Sequence, residues 1–150
     1  MKYIECPGEY SGRKKSLFLA GGISECRNWQ LNLVTMLENE NLVLINPRRK
    51  VFPEDNPNIE YEQITWEYNH ILKASAVSFW FPPETLCPIT LYELGKCGQY
   101  KKPLFIGIDP KYARKKDVEI QIKLIRPEIK IVYSLQKLSE QIKSWARDKD

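Results

Sequence analysis

Short apolar runs of strand type recur along the chain at Ser16–Leu19, Leu42–Ile45, Ala76–Phe81, Pro103–Ile108 and Lys130–Tyr133. Stretches with helical spacing lie between and after them. Trp29, Leu33, Met36 and Leu37 mark a helix after the first run, and Tyr61, Ile64, Tyr68, Ile71 and Leu72 mark one before the third. Leu135, Leu138, Ile142 and Trp145 mark another near the C-terminal end.

Strands alternating with helices of this length predict an α/β fold with right-handed crossovers. The expected architecture is a single-domain, flavodoxin-like or Rossmann-like parallel five-stranded sheet with helices on both faces, with residues 1–15 as an N-terminal extension. In such sheets a ligand lies beyond the carboxyl ends of the strands, so the segments directly after each strand carry the candidate chemistry.

Composition narrows the classes. A chain of 150 residues, 43% hydrophobic and 28% charged, fits one globular domain. No run approaches the roughly 18 apolar residues of a membrane span, and MKYIECPGEYSGRKK lacks the apolar stretch of a signal peptide, which predicts a cytoplasmic protein. Cys6, Cys26, Cys87 and Cys97 form no CxxC pair and His70 is the only histidine, so a metal site is not expected. Lys and Arg exceed Asp and Glu by only 23 to 19, and the basic clusters are scattered, so neither nucleic acid nor a membrane is an expected partner.

After the first strand, Gly21-Gly22-Ile23-Ser24 would let the backbone approach a ligand, although a simple tight turn explains the pair equally well. It is neither a GxGxxG nor a Walker motif. After the second strand, Asn46-Pro47-Arg48-Arg49 places an amide and two guanidiniums at the same sheet edge, either as a ligand grip or as a turn with exposed arginines. The connection over residues 46–58, NPRRKVFPEDNPN, reads as an extended loop. After the third strand, a proline-rich loop from Pro82 to Pro88 leads into a helix that would carry Glu93 in about its first turn, where the helix dipole favours the ionised form.

Taken in order, Leu17-Phe18-Leu19-Ala20-Gly21-Gly22-Ile23 with Trp29, Asn46-Pro47-Arg48, Trp66-Glu67, Phe79-Trp80-Phe81-Pro82 and Pro88-Ile89-Thr90-Leu91-Tyr92-Glu93-Leu94-Gly95 resemble the nucleoside 2-deoxyribosyltransferase-like family. The resemblance runs from about Leu17 to Ile108, and its Tyr-Glu-Leu-Gly ending is the most specific part. It implies that Glu93 attacks the anomeric carbon of a deoxyribose, expelling the base and leaving a glycosyl ester, with a second base or water as acceptor.

The resemblance also implies a second acid on the helix before the third strand. An ungapped comparison places Tyr68 there; the role is assigned to the adjacent Glu67. Family enzymes carry a polar residue six positions before the nucleophile, where this chain has Cys87, a weak hydrogen-bonding group for which Thr85 or Thr90 could substitute. Gly21, Gly22, Ile23 and Ser24 correspond to the family's substrate-binding first loop, and Trp29, Asn46 and Arg48 would flank the pocket. Trp66 is a base-stacking or core residue, Trp80 a core residue, and His70 a helical histidine rather than a proton shuttle. The implied ligands are a nucleoside or nucleotide and a free nucleobase, without a cofactor, in a homo-oligomer. Alternatives are a 2'-deoxynucleoside 5'-phosphate hydrolase, a non-catalytic nucleotide sensor and, on fold alone, a flavodoxin-like electron carrier.

Overall fold

In the computed structural model, which describes residues 1–148, the six residues of the run Ala76–Phe81 are all buried, and so are the first five of Ser16–Gly21. Strands covered on both faces read as continuous apolar runs, and these two occupy the middle of the sheet. The elements are β1 (Lys2–Glu5), β2 (Ser16–Gly21), α1 (Trp29–Met36), β3 (Val43–Asn46), α2 (Ile59–Lys73), β4 (Ala76–Phe81), α3 (Pro88–Cys97), β5 (Leu104–Ile108), α4 (Lys115–Ile125) and α5 (Leu135–Arg147). The five strands are ordered β1-β3-β2-β4-β5, and every pairing is parallel. The fold is therefore the expected flavodoxin-like α/β sheet.

Side chains alternate across the sheet and divide the core in two. Phe18, Ala20, Val77, Phe79 and Phe81 meet Trp66, Ile71, Leu94, Cys97, Val118 and Ile122 of α2, α3 and α4. Leu17, Leu19, Ala76 and Trp80 face the other way, onto Leu33 of α1 and Leu138 and Ile142 of α5.

Two strand assignments differ from the sequence expectation. Residues 2–5, within the stretch read as an extension, form the edge strand β1 against β3. Lys130–Tyr133 is not a strand: Val132 alone bridges to Gly107, donating to the Ile106 carbonyl and accepting from Ile108 N–H. Ser134 caps α5 by accepting from Lys137 N–H, which ends the extended chain immediately after Tyr133 and leaves no length for a ladder.

The face that α2 turns inward also differs. Tyr61, Ile64, Tyr68 and Leu72 mark its helical spacing but are exposed, while Ile59, Trp66, His70 and Ile71 are buried. Burial of the two heteroaromatic rings is possible because their polar atoms have partners in residues 8–10. Trp66 Nε1 donates to the Gly8 carbonyl at 2.8 Å, and Tyr10 N–H donates to His70 Nε2 at 3.3 Å. The acceptor role of Nε2 puts the ring proton on Nδ1, which lies 2.8 Å from the Trp66 carbonyl, and the two rings stack at 4.0 Å. At the C-terminal end of α2, Lys102 Nζ donates to the carbonyls of Ile71, Leu72 and Ala74, satisfying orphan acceptors of the last turn and fixing the exit into β4.

The tightest point of the sheet is Gly21. A Cβ there would lie 2.3 Å from Trp29 Cζ2 and 2.5 Å from the Trp80 carbonyl oxygen, and backbone cannot yield as a flexible side chain can. Gly21→Ala is expected to lose about 2–4 kcal/mol of stability through overpacking, read from urea denaturation. A loss below about 0.5 kcal/mol would show that the β2–β4 contact relaxes freely.

Candidate active site

The chain leaves β2 toward α1 on one face of the sheet and leaves β4 toward α3 on the other, which creates a switch point at the carboxyl ends of these two neighbouring strands. The loops that follow them touch. The position a Cβ would take on Gly22 lies 2.8 Å from Pro82, 3.0 Å from Cys87 Sγ and 3.1 Å from Thr85. Both glycines thus make room for neighbouring protein atoms, the Trp29 ring and the Trp80 carbonyl lying beside Gly21.

The loop after β4 ends at Cys87, which caps α3 in the left-handed region with φ of 51°. Pro88 then occupies the first helical position, where its fixed φ and missing N–H cost nothing. Glu93 is the sixth residue of this helix, in its second turn, and is 8% exposed. Its position corrects the expectation of a first-turn carboxylate kept ionised by the dipole. Burial first, and the negative charge of Glu67 second, raise the Glu93 pKa to about 8, with Lys96 opposing both only in part. No described residue donates a hydrogen bond to this carboxylate, whose nearest charged influences are Glu67 and Lys96.

Glu67 reaches the same site from α2. Its pKa is raised by burial and drawn down by a hydrogen bond from Gln63 and by the charge of Arg49. Gln63 Nε2 donates to Glu67 Oε1 at 2.7 Å. Of the two residues the resemblance left open, Glu67 is the one in electrostatic contact with Glu93, whereas Tyr68 is 49% exposed with Lys96 Nζ over its ring.

Other sequence candidates lie nearby with their polar atoms already engaged. Asn46 is buried, accepting from Arg48 N–H and donating to Tyr3 Oη. The Arg48 guanidinium donates to the carbonyls of Cys26 and Arg27 and to Gln30 Oε1, which ties down the loop after β2. Trp29 Nε1 and Gln30 Nε2 both donate to the Gly22 carbonyl, and Trp66 is held in the core as described. Thr90 is buried, Thr85 Oγ1 accepts weakly from Cys87 N–H, and the buried Cys87 thiol faces the Thr85 carbonyl at 3.5 Å. Ile23 and Ser24 retain exposure, Ser24 the more.

Gln63 was not among the sequence candidates, and Arg49 was read only as a ligand grip or an exposed turn arginine at the sheet edge. The signal for Gln63 was its four-residue spacing from Glu67 on a predicted helix, which puts the two on one face. Clefts of about 410 Å³ beside β5 and α5 and about 460 Å³ between α3 and α4 lie elsewhere, and neither is lined by Glu93 or Glu67. Among the described residues, no cluster of three or more His, Cys, Asp or Glu side chains could hold a metal ion, and no helix is long and apolar enough to cross a membrane.

Fold and site together define a flavodoxin-like α/β protein with a buried and a half-buried carboxyl gathered beside the switch point of its sheet. The profile of the family described as nucleoside 2-deoxyribosyltransferase like matches residues 14–112, and the chain belongs to that family. The match spans β2 through β5 and includes both acids. No curated protein matches the chain.

An acid whose pKa is higher in the folded than in the unfolded protein adds stability below its unfolded value and loses it as pH rises through the folded one. For Glu93 that window runs from 4.5 to about 8. Glu93→Gln should therefore change the melting temperature little at pH 5 and raise it by at least about 5 °C at pH 9, where it removes a buried charge costing a few kcal/mol. Equal shifts at both pH values in thermal melts would show that the carboxylate is not desolvated.

Proposed function

We propose that this chain cleaves the N-glycosidic bond of a 2'-deoxynucleoside through a covalent intermediate on Glu93 and transfers the sugar to another nucleobase. The observation that carries the reading is the buried Glu93 carboxyl beside Glu67 at the switch point of a family member. A carboxylate that accepts no hydrogen bond from protein donors is a stronger nucleophile than one bound by several, provided it is ionised.

In the first step a Glu93 oxygen bonds to C1' of the sugar as the C1'–N bond breaks, and that electron pair leaves with the base. The two neighbouring acids share one proton; with it on Glu67, Glu93 is ionised for attack and Glu67 gives the departing nitrogen its proton. In the second step a ring nitrogen of the incoming base bonds to C1', the ester C–O bond breaks, and Glu93 is regenerated while Glu67 recovers a proton from the new base. Ile23, Ser24 and Thr85 border the substrate. Arg48 is engaged by protein carbonyls, which disfavours a 5'-phosphate as the group the site was built around.

Glu93→Ala is expected to fold and to lose at least about a thousandfold in kcat/KM for base exchange between a deoxynucleoside and a second base, followed by chromatography. A slow 2-fluoro-arabinosyl nucleoside should leave a mass adduct on Glu93. Near-normal turnover in the variant, or an adduct on another residue, sinks the assignment. Free base and sugar without a new nucleoside would replace transfer with hydrolysis.

The acting form is a homo-oligomer in this reading, working in the cytoplasm. Tyr61, Ile64, Tyr68 and Leu72 on α2 and Ile89 and Tyr92 on α3, the helices that carry the two acids, are exposed, and Lys96 Nζ lies over the rings of both Tyr68 and Tyr92; large apolar side chains exposed on two such helices mark an interaction surface. The double substitution Ile64→Glu with Tyr92→Glu should convert the oligomer to a monomer in light scattering. An unchanged mass would move the interface elsewhere.

A further inference from the structure

The second acid of the site is held by a side chain that is itself held. We propose that Gln63, locked in one orientation by Arg49, is the positioning residue for Glu67, setting the direction in which its free oxygen faces and the protonation state it keeps beside Glu93. The bearing of this device on turnover rests on the reading above; the orientation itself does not.

The amide of a glutamine is ambiguous until its partners decide which end is oxygen. Here they do. Arg49 Nε lies 2.7 Å from Gln63 Oε1, and a guanidinium only donates, so that end must accept. Cys6 Sγ donates to the same oxygen at 3.2 Å. The NH2 end then faces Glu67 Oε1 at 2.7 Å and the Pro47 carbonyl at 2.9 Å. Both protons and both lone pairs of the amide are engaged, and a flip would set its oxygen against two acceptors and its protons against Arg49.

Arg49 is fixed as well. Its side chain is 6% exposed, and its Nη2 is 2.6 Å from Glu62 Oε1. The loop after β3 thus reaches α2 through one buried guanidinium, and the amide carries that constraint one turn further to Glu67. Contact between Arg49 and Glu67 directly would form an ion pair and hold the carboxylate permanently charged. A neutral amide between them donates one hydrogen bond and leaves Glu67 able to take up a proton. No described residue occupies Glu67 Oε2, the oxygen left for a substrate.

The charged and titratable groups around Glu67 are Arg49 from the loop after β3, Cys6 from the N-terminal segment, Glu62 on its own helix, and Glu93 with Lys96 on α3. Gln63 opposes the upward push of burial on Glu67, and charged Glu67 in turn pushes Glu93 up. Removing the amide should therefore raise the Glu67 midpoint and, by neutralising Glu67 over a wider range, lower that of Glu93.

The test is a carbon-13 NMR titration of the glutamate side-chain carboxyls in the full-length protein, assigned with Glu67→Gln and Glu93→Gln, which needs no turnover. In Gln63→Met the Glu67 midpoint should rise by at least about 0.5 pH and the Glu93 midpoint should fall. Arg49→Met, which keeps the amide but removes both its lock and the nearby positive charge, should shift both in the same directions and covers the case in which Gln63→Met does not fold. Base exchange by Gln63→Met should drop about tenfold in kcat with KM within about threefold, and the acidic limb of its pH profile should move down with Glu93. Midpoints unmoved in folded Gln63→Met or Arg49→Met overturn the proposal whatever the activity. Shifted midpoints in a protein that never cleaves a deoxynucleoside uphold the positioning and reject the proposed reaction.

Discussion

At Gly21 the two central strands come so close that no Cβ fits between the Trp29 ring and the Trp80 carbonyl. That single approach brings the loop after β2 against the loop after β4, with Gly22 packed onto Pro82, Thr85 and Cys87. The second loop then starts α3 at Pro88, and the helix rise alone carries Glu93 into the second turn, over the sheet edge. Meanwhile β3, on the far side of β2, must send its chain across to β4, and α2 makes that crossing on the face shared with α3. The meeting of Glu67 with Glu93 follows from this connectivity, since neither residue holds the other by a hydrogen bond.

Which electrostatic effect governs the acid pair is decided by magnitude. A helix N-terminus stabilises an anion by about 0.3–1 kcal/mol, and only within its first turn. Glu93 lies beyond that reach, and its pKa near 8 shows desolvation to be the larger influence. Glu67 is treated differently by its surroundings, because Gln63 and Arg49 offset part of its burial. The two neighbouring carboxyls are thereby given unequal protonation tendencies, Glu93 holding a proton to higher pH than a solvated acid does and Glu67 being drawn back toward the ionised form.

The alternation of apolar runs with helical periods was enough to reveal the parallel sheet, because buried strands such as AVSFWF have no other reading. The placement of Glu93 on the helix after β4 was legible through its motif. What escaped were features that depend on distant partners. Lys2–Glu5 is short, and only its pairing with β3 makes it a strand. Asn46 looked like a ligand-binding amide, yet its side chain is claimed by Tyr3, 43 positions away. Arg48 looked free for an anion, and the loop carbonyls that engage it are 21 and 22 positions upstream. Trp66 and His70 were correctly placed on a helix, but which face turned inward was decided by Gly8 and Tyr10, which no local pattern announces.

The left-handed conformation of Cys87 limits what evolution or a designer can put at the mouth of α3. At φ of 51° a β-branched side chain clashes with its own backbone, whereas glycine, asparagine and aspartate enter this region at little cost. A threonine installed to supply a better hydrogen-bonding group would therefore drag the loop out of shape. The accessible chemistry at this position is a choice among residues that the backbone admits first and the substrate judges second.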